Sequence, residues 1–552
     1  MQDKLYMQNK KEEAPCMRNW KRILVGLLAT VLVVSGMCVM AEDGEMIVLT
    51  TCKSISDTEQ TFIDKKEDVL TDNIWFRDYR ELFNLDVQYD WTAPGAQYDE
   101  KMNAQIAAND LPDFMTVNAT QLKQLVDYGM AYDLTDVFEE YASDFVKEMM
   151  AADNFVGLSQ ATFDGKLYAL PNVGGNRDGS SLWWIRKDWL DNLGLEIPTT
   201  LDELVNVMYA FAQQDPDQNG ENDTYGMALI KDLFGGNIGL TALAEGMGAY
   251  MDGWIETDAG KEYGSIQPQA KSVLELLAKL YADNVLDREF IVKDGTKVAE
   301  EIVAGKFGLF SGQHAQAFYP LPNSKNADNN ADWIAISIVS GDGSVPKTML
   351  NGSASSFCAV NVDCKHPEKV VEIYNYYYQK DCAVSPDYDI RYHGHLDDDP
   401  NSEITEYYRW SPVLSFYPMQ NMYIHMGVEK HYEENDDSEM GNGWISSSVE
   451  IIDKYYAGDL SGYAQTIWCG PGDFSGEGRI HWYDQNDMFL INAYIGANTD
   501  SMTLYKATLD QLRLETFTSI ITGDSSIDAF DSYVEQWKAL GGDAITQELN
   551  VQ

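Results

Sequence analysis

The chain has 552 residues, 45% hydrophobic and 12% aromatic, with 39 basic against 88 acidic side chains for a formal net charge of −49. That apolar content can build two or three packed units, and the charge excludes nucleic acid and anionic membrane surfaces as natural partners. The acidic residues are spread along the chain among aromatics, the pattern of a folded soluble surface rather than a disordered tail.

Residues 1–41 read as an export signal. Lys21 and Arg22 precede an apolar run from Ile23 to Val34, and Val39, Met40 and Ala41 suit cleavage. The run is too short for a comfortable bilayer span. Met17 stands where a signal of ordinary length begins, which leaves residues 1–16 as an upstream start-site extension. Cys38 opens the alternative of lipid anchoring, although Met37 replaces the small residue expected before such a cysteine. The expected location is extracellular or cell-surface. Five cysteines follow (Cys52, Cys358, Cys364, Cys382 and Cys469), an odd number at irregular spacing. They form neither a disulfide framework nor a CxxC zinc pattern, and one pair among Cys358, Cys364 and Cys382 stays open.

Met46–Thr51 and Asp86–Trp91 read as strands, with a helix over Trp75–Phe83 between them. A helix over Tyr98–Ala108 and a strand over Phe114–Val117 complete an α/β lobe with a mainly parallel sheet. Lys166–Pro171 and Ser181–Arg186 are further strands, and a short helix follows over Asp188–Leu193. Thr200 and Glu203 form a capping box before a helix whose apolar residues recur at helical spacing. Later come helices at Ala270–Ala282 and Glu368–Tyr378, a helix-to-strand passage at Lys297–Phe310, and a strand at Ser356–Val362. Residues 383–480 read as irregular loops with short helices, and Ser525–Leu540 ends the chain with an apolar stripe.

The capped helix delivers the chain to Asp215-Pro-Asp-Gln-Asn-Gly-Glu-Asn-Asp223. Asp215, Asp217 and Asn219 present oxygens at alternate positions, Gly220 permits a tight bend, and Asp223 follows. This spacing can wrap a hard cation such as Ca²⁺, which takes six to eight oxygens. The twelfth position is Gly226, where an EF-hand places a bidentate Glu, so the alternatives are a calcium loop inside a larger fold or a solvated acidic turn.

Several segments occur in a telling order: Ala107-Ala-Asn-Asp-Leu-Pro-Asp113, Asp164-Gly-Lys-Leu-Tyr-Ala-Leu-Pro171, Trp184-Ile-Arg-Lys-Asp-Trp-Leu-Asp-Asn-Leu-Gly-Leu195 with Pro198-Thr-Thr200, the acidic loop, and Phe530–Asp543. Over roughly residues 46–552 the chain resembles the extracellular solute-binding proteins, family 1, of bacterial ABC importers, in their oligosaccharide-binding branch. The resemblance implies a two-lobe, periplasmic-binding-protein-like (type II) α/β fold with a hinge and a central ligand cleft. By analogy one lobe comprises residues 46–171 and about 356–382, and the other 172–355 and about 383–552. Alginate-binding relatives hold a structural calcium in a loop like this one. Carried over, Asp215, Asp217, Asn219 and Asp223 would ligate through side chains and Glu221 through its carbonyl, with Thr224 where relatives have an acidic ligand. The implied partners are an oligosaccharide or other small solute and membrane permease subunits, and the chain is expected to be monomeric.

A sugar offers flat CH faces and a fringe of hydroxyls, so its sites pair aromatic platforms with amides and charged groups. Trp91, Asn118 and Thr120 follow strands at the end where α/β clefts open. Asn172, Asn176 and Arg177 follow the expected hinge strand, and Ser311, Gln313 and His314 follow the run ending at Phe310. Trp183 and Trp184 point to opposite strand faces, so one at most can face a cleft. Trp468 sits in a Gly-rich loop. Asp113 is read as holding the Pro112 turn, and Arg186 and Asp188 as positioning a helix start. The sequence has no GxSxG elbow, HExxH or Walker loop. Binding without catalysis is therefore the reading, against a secreted glycoside hydrolase or a binding protein for a non-sugar solute such as a peptide.

Overall fold

The computed structural model describes residues 45–234, 238–393 and 406–551. The segment read as an export signal, with Cys38, lies outside them. Ile47–Gln552 forms one compact unit built around two hydrophobic cores.

The first core begins with Ile47–Ile55 running parallel to Leu85–Pro94. The helix between them, Ile74–Phe83, starts where the Asn73 side chain accepts the Trp75 and Phe76 N–H groups. It stops where Asn84 turns left-handed at φ 48°. Asp113 ties the next turn to the first strand: it accepts from the Thr50 N–H at 2.8 Å and donates its own N–H to Thr50 Oγ1 at 3.1 Å. Phe114–Val117 does not extend a parallel sheet as expected. It pairs antiparallel with Ala354–Val360, which pairs on its other edge with Ala169–Val173. The partner lies more than 200 residues away, beyond any local pattern.

These long-range pairings make the hinge. Asn172 stands opposite Ser356 and Val173 opposite Ala354, so two adjacent strands carry the chain out of the first core and back. A further segment, expected in the second lobe from about residue 383, returns to the first core. Tyr392, Tyr407, Trp410 and Val413 all belong there. Trp75 explains this: its ring meets Tyr392 edge-on at 4.8 Å, and its indole N–H donates to the Tyr407 carbonyl at 2.8 Å. The crossing into the second core therefore follows Val413, with Ile424 the next core residue on the far side.

The second core is centred on Leu182–Arg186, which lies between Leu309–Gly312 and Trp333–Ile336, antiparallel to both. All five residues of this central strand are buried because both of its faces are covered. Arg186 is 2% exposed and locked by Asp188, at 2.7 and 2.5 Å, and Asp328, at 2.9 Å. The capping box at Thr200 and Glu203 opens Leu201–Gln213 as its spacing requires. The stretch read as irregular contains the helices Gln420–Glu429, Gly443–Tyr456, Tyr463–Cys469 and Gly476–Gln485. All five cysteines from Cys52 onward are free and buried, which closes the question of a disulfide pair. Among the described residues no helix is long and apolar enough to cross a membrane.

Candidate functional site

Three recesses hold candidate binding residues, and only the first is lined by the crossing strands. One, of 110 Å³, opens beside them and is lined by Lys53, Ser54, Tyr89, Thr116, Asn172 and Ser356 among others. Asn172 donates to Ser356 Oγ at 3.1 Å, so the hinge strands meet here through side chains as well as backbone. A second, of 140 Å³, lies in the second lobe between Ser181, Glu245, Tyr250, Ser311, Gln313 and Asn351. A third, of 920 Å³, has Asn103, Asn118, Thr120, Gln124 and Tyr128 on one side and Gly496–Asn498 on the other. Gln160 closes the lobes near this point, donating to the Ile495 carbonyl at 3.2 Å and accepting from Ala354 N–H at 2.8 Å.

Asn118, Asn172 and Gln313 thus each line a recess, although the Asn118 side chain also caps a helix by accepting from Gln121 N–H at 3.0 Å. Ser311 lines the second recess and accepts from Ala242 N–H at 3.0 Å. Asn176 stands in the turn Asn176–Gly179, with a buried Oδ1 that has no partner. Arg177 pairs with Asp484 at 2.8 Å and lies 5.1 Å from the centre of the Phe489 ring, so its charge is spent within the protein.

The candidate tryptophans are all buried. Trp183 and Trp184 are both fully buried, where one at most was expected to face a cleft. Trp184 donates to the Gln313 carbonyl at 2.9 Å and so fixes a recess wall from behind. Trp91 is 9% exposed, packs on Tyr98 at 5.0 Å, carries Lys101 over its ring at 4.4 Å, and donates to Gln105 at 2.7 Å. Trp468 is buried against Phe318 and His314. The aromatic faces that do line recesses are Tyr89, Tyr128, Phe234 and Tyr250, which carry no distinguishing sequence pattern.

Two buried acidic groups add electrostatic structure. Glu245 accepts from Met349 N–H at 2.8 Å, and burial pushes its carboxyl up to about 7. An acidic residue within the apolar Thr241–Gly246 helix was the available signal for it. Asp178, held by Asn421 at 2.7 Å, is pushed up to about 7 by burial and by the charge of Glu477. Glu477 in turn stands 2.5 Å from Nδ1 of His314.

The acidic loop was tested for a hard cation on its own geometry. Asp215 and Gln218 both adopt left-handed backbone, and Gly220 does so at φ 86°. Asp215 Oδ1 is buried without a partner, while its Oδ2 accepts from Gly220 N–H at 3.1 Å. Burial, Asp215 and Asp223 push the Asp217 carboxyl up, against a lowering contact from Asn219. Asn219 donates to both Asp217, at 2.8 Å, and Asp223, at 3.3 Å, and Lys306 pairs with Asp223. Crowded oxygen donors with a single cation, Lys306, at their edge fit Ca²⁺. Glu221 gives its N–H to Asn219 at 2.7 Å and leaves its carbonyl to the loop. Thr224 departs from the expected set: it is 5% exposed and its hydroxyl donates to the Phe211 carbonyl at 2.7 Å, closing the preceding helix.

Two lobes joined by crossing strands, with one recess at those strands and another lined from both lobes, form a binding-protein architecture. The chain belongs to the bacterial extracellular solute-binding protein family, whose profile matches residues 66–381, more than half of its length. It is 30% identical over 245 residues to the polygalacturonan/rhamnogalacturonan-binding protein YtcQ of Bacillus subtilis, covering 44% of this chain and 47% of YtcQ. It is 27% identical over 235 residues to the fructooligosaccharide ABC transporter substrate-binding protein FusA of Streptococcus pneumoniae, covering 41% and 44%. The chain thus spans about half the length of these curated relatives. A solved structure of an EF-hand mutant of FusA in complex with fructo-nystose superposes with a TM-score of 0.51 at 16% identity, covering 91% of this chain and 98% of that one. An "HMO binding" ABC-transporter-associated solute-binding protein from Bifidobacterium longum infantis superposes with a TM-score of 0.58 at 16% identity, covering 92% and 98%.

Proposed function

We propose that this chain is the substrate-binding component of an ABC importer and captures a neutral oligosaccharide outside the cell without altering it. The observation that carries the reading is the lining of the three recesses. Hydroxyls, amides and carboxylates surround a few aromatic faces, and Lys53 is the one cation among the described residues lining them. Lys53 is held by Glu59 at 3.0 Å and by the Arg409 carbonyl at 2.7 Å, so it has no charge to lend a uronate. Glu245 and Asp252 offer oxygens that suit sugar hydroxyls, and no unpaired cation stands beside them to hold a uronate.

The working motion is closure of the lobes about Asn172 and Ser356, with the solute favouring the closed form by its differential affinity. The lobes are 46–173 with 354–413, and 174–353 with about 420–552. The closed complex then docks on membrane permease subunits. Residues 1–41 are removed on export or, where Cys38 carries a lipid anchor, the chain is cut before Cys38 and keeps it. Asp215, Asp217, Asn219 and Asp223 would hold Ca²⁺ with the Glu221 carbonyl, and the ion supplies the countercharge that ties this turn to the helix before it.

Thermal melting of the mature chain, with calcium present, against neutral and uronate oligosaccharides tests the reading. A solute at 100 times its dissociation constant stabilises by about 2.7 kcal/mol. Neutral sugars recovered intact after producing a shift are the expected result. Shifts from uronates alone overturn neutrality, degradation of the sugar makes the chain a hydrolase, and a shift from peptides alone replaces the solute class.

A further inference from the structure

Two histidines of the second lobe, His425 and His481, meet outside the recesses described above. The helix Gln420–Glu429 presents His425 and Glu429 one turn apart, hence on one face. His481 enters from the neighbouring helix Gly476–Gln485, its ring centre 5.7 Å from that of His425. One ligand atom from each of His425, Glu429 and His481 lies within 4.8 Å of the others.

Local contacts prepare these atoms. His425 is 1% exposed, and its Nδ1 lies 3.3 Å from the Cys469 carbonyl, a partner that only an N–H can satisfy. The proton therefore sits on Nδ1 and the Nε2 lone pair is left free, the arrangement that orients metal-bound imidazoles. Room for the ring comes from Gly478, where a Cβ would stand 3.0 Å from His425 Cε1 and 2.2 Å from the Gly472 carbonyl. His481 Nε2 meets the Gln485 side-chain amide at 3.0 Å, a single contact that a cation would displace.

We propose that His425, Glu429 and His481 form a divalent transition-metal site, of zinc class, that clamps the two helices together. Two imidazole nitrogens and one carboxylate match the three-ligand zinc site with a fourth position left to water. Calcium is the wrong ion here, because it requires six to eight oxygens. The nearby group of Asp178, His314 and Glu477 is a weaker host: Nδ1 of His314 is already contested by Trp468 and Glu477, and Asn421 already holds Asp178.

The test uses the mature chain without a histidine tag, stripped with chelator and resupplied with excess Ca²⁺. Titration calorimetry with Zn²⁺ should give one site per chain, and Co²⁺ should give the visible bands of a four- or five-coordinate nitrogen and oxygen site. His481→Ala and Glu429→Gln, both at partly exposed positions, should each weaken Zn²⁺ at least tenfold and abolish the Co²⁺ bands, while Asp178→Asn leaves both intact. No Zn²⁺ uptake by the wild type overturns the proposal. So does uptake that survives both substitutions, or uptake lost only in Asp178→Asn.

Discussion

Trp468 donates its indole N–H to Nδ1 of His314 at 2.9 Å, the same nitrogen that stands 2.5 Å from Glu477. One nitrogen cannot accept from Trp468 and donate to Glu477 in a single protonation state. Burial alone would lower the imidazole, but the charges of Glu477 and Asp178 outweigh it and hold His314 up to about 9. Because the folded value is raised, the stability this group contributes is complete below about 6.5 and is lost as pH rises through about 9. Trp468→Phe should therefore cost about 1 kcal/mol more at pH 10, where the hydrogen bond is made, than at pH 7. Urea melts of both proteins at the two pH values measure this, and an equal cost at both sinks the exclusive-contact account.

Glu245 should make the second lobe less stable as pH rises. Its carboxyl moves from 4.5 to about 7 on folding because it is buried, so the folded state binds the extra proton between those values. Stability is complete below 4.5 and declines through about 7, by about 3 kcal/mol for a shift of this size. Glu245→Gln keeps an acceptor for the Met349 N–H and should flatten that part of the pH profile. A wild-type profile that is flat from pH 4.5 to 7.5, or one unchanged by the substitution, contradicts the assignment.

Where chemistry is local, the sequence shows the structure. Thr200 and Glu203 cap a helix through their spacing, and Asp113 was readable as a turn holder because Pro112 precedes it. The 23-residue helix Asp500–Thr522 left no such trace. Its apolar residues run around the whole cylinder, Leu504 is 70% exposed and Arg513 is buried, so no stripe marks its inner face. The recesses were legible only in part, since Asn172 and Ser356 meet through a pairing of distant strands. Aromatic content pointed to tryptophan platforms, yet the central strand of a covered sheet buries Trp183 and Trp184 alike. Three tyrosines, whose hydroxyls tolerate water, and Phe234 line the recesses instead.

That distinction has a direct consequence for Trp184. If it supports Gln313 from behind, Trp184→Phe removes one buried N–H from the Gln313 carbonyl and some packing volume. The expected cost is about 1–3 kcal/mol of stability. Affinity per folded molecule for whichever sugar is captured should change less than threefold. A platform residue would behave the other way, with affinity falling tenfold or more while melting hardly moved.

The acidic loop allows opposite-signed predictions at neighbouring residues. Asp215 has a buried oxygen without a partner and Asp217 is pushed up by burial and its acidic neighbours, so both should depend on Ca²⁺ for countercharge. Chelation should lower the wild-type melting temperature, and Ca²⁺ at 100 times its dissociation constant should restore about 2.7 kcal/mol. Asp215→Asn with Asp217→Asn should remove the response to both. Lys306 already pairs with Asp223, whose carboxyl it holds below the usual range, and so competes with the ion for that ligand. Lys306→Met should therefore bind Ca²⁺ more tightly than the wild type and be less stable once chelated. Calorimetric titration with Ca²⁺ decides between the accounts: an affinity unchanged in Lys306→Met would mean that Asp223 is not a ligand, and no heat in the wild type would reduce the loop to a turn.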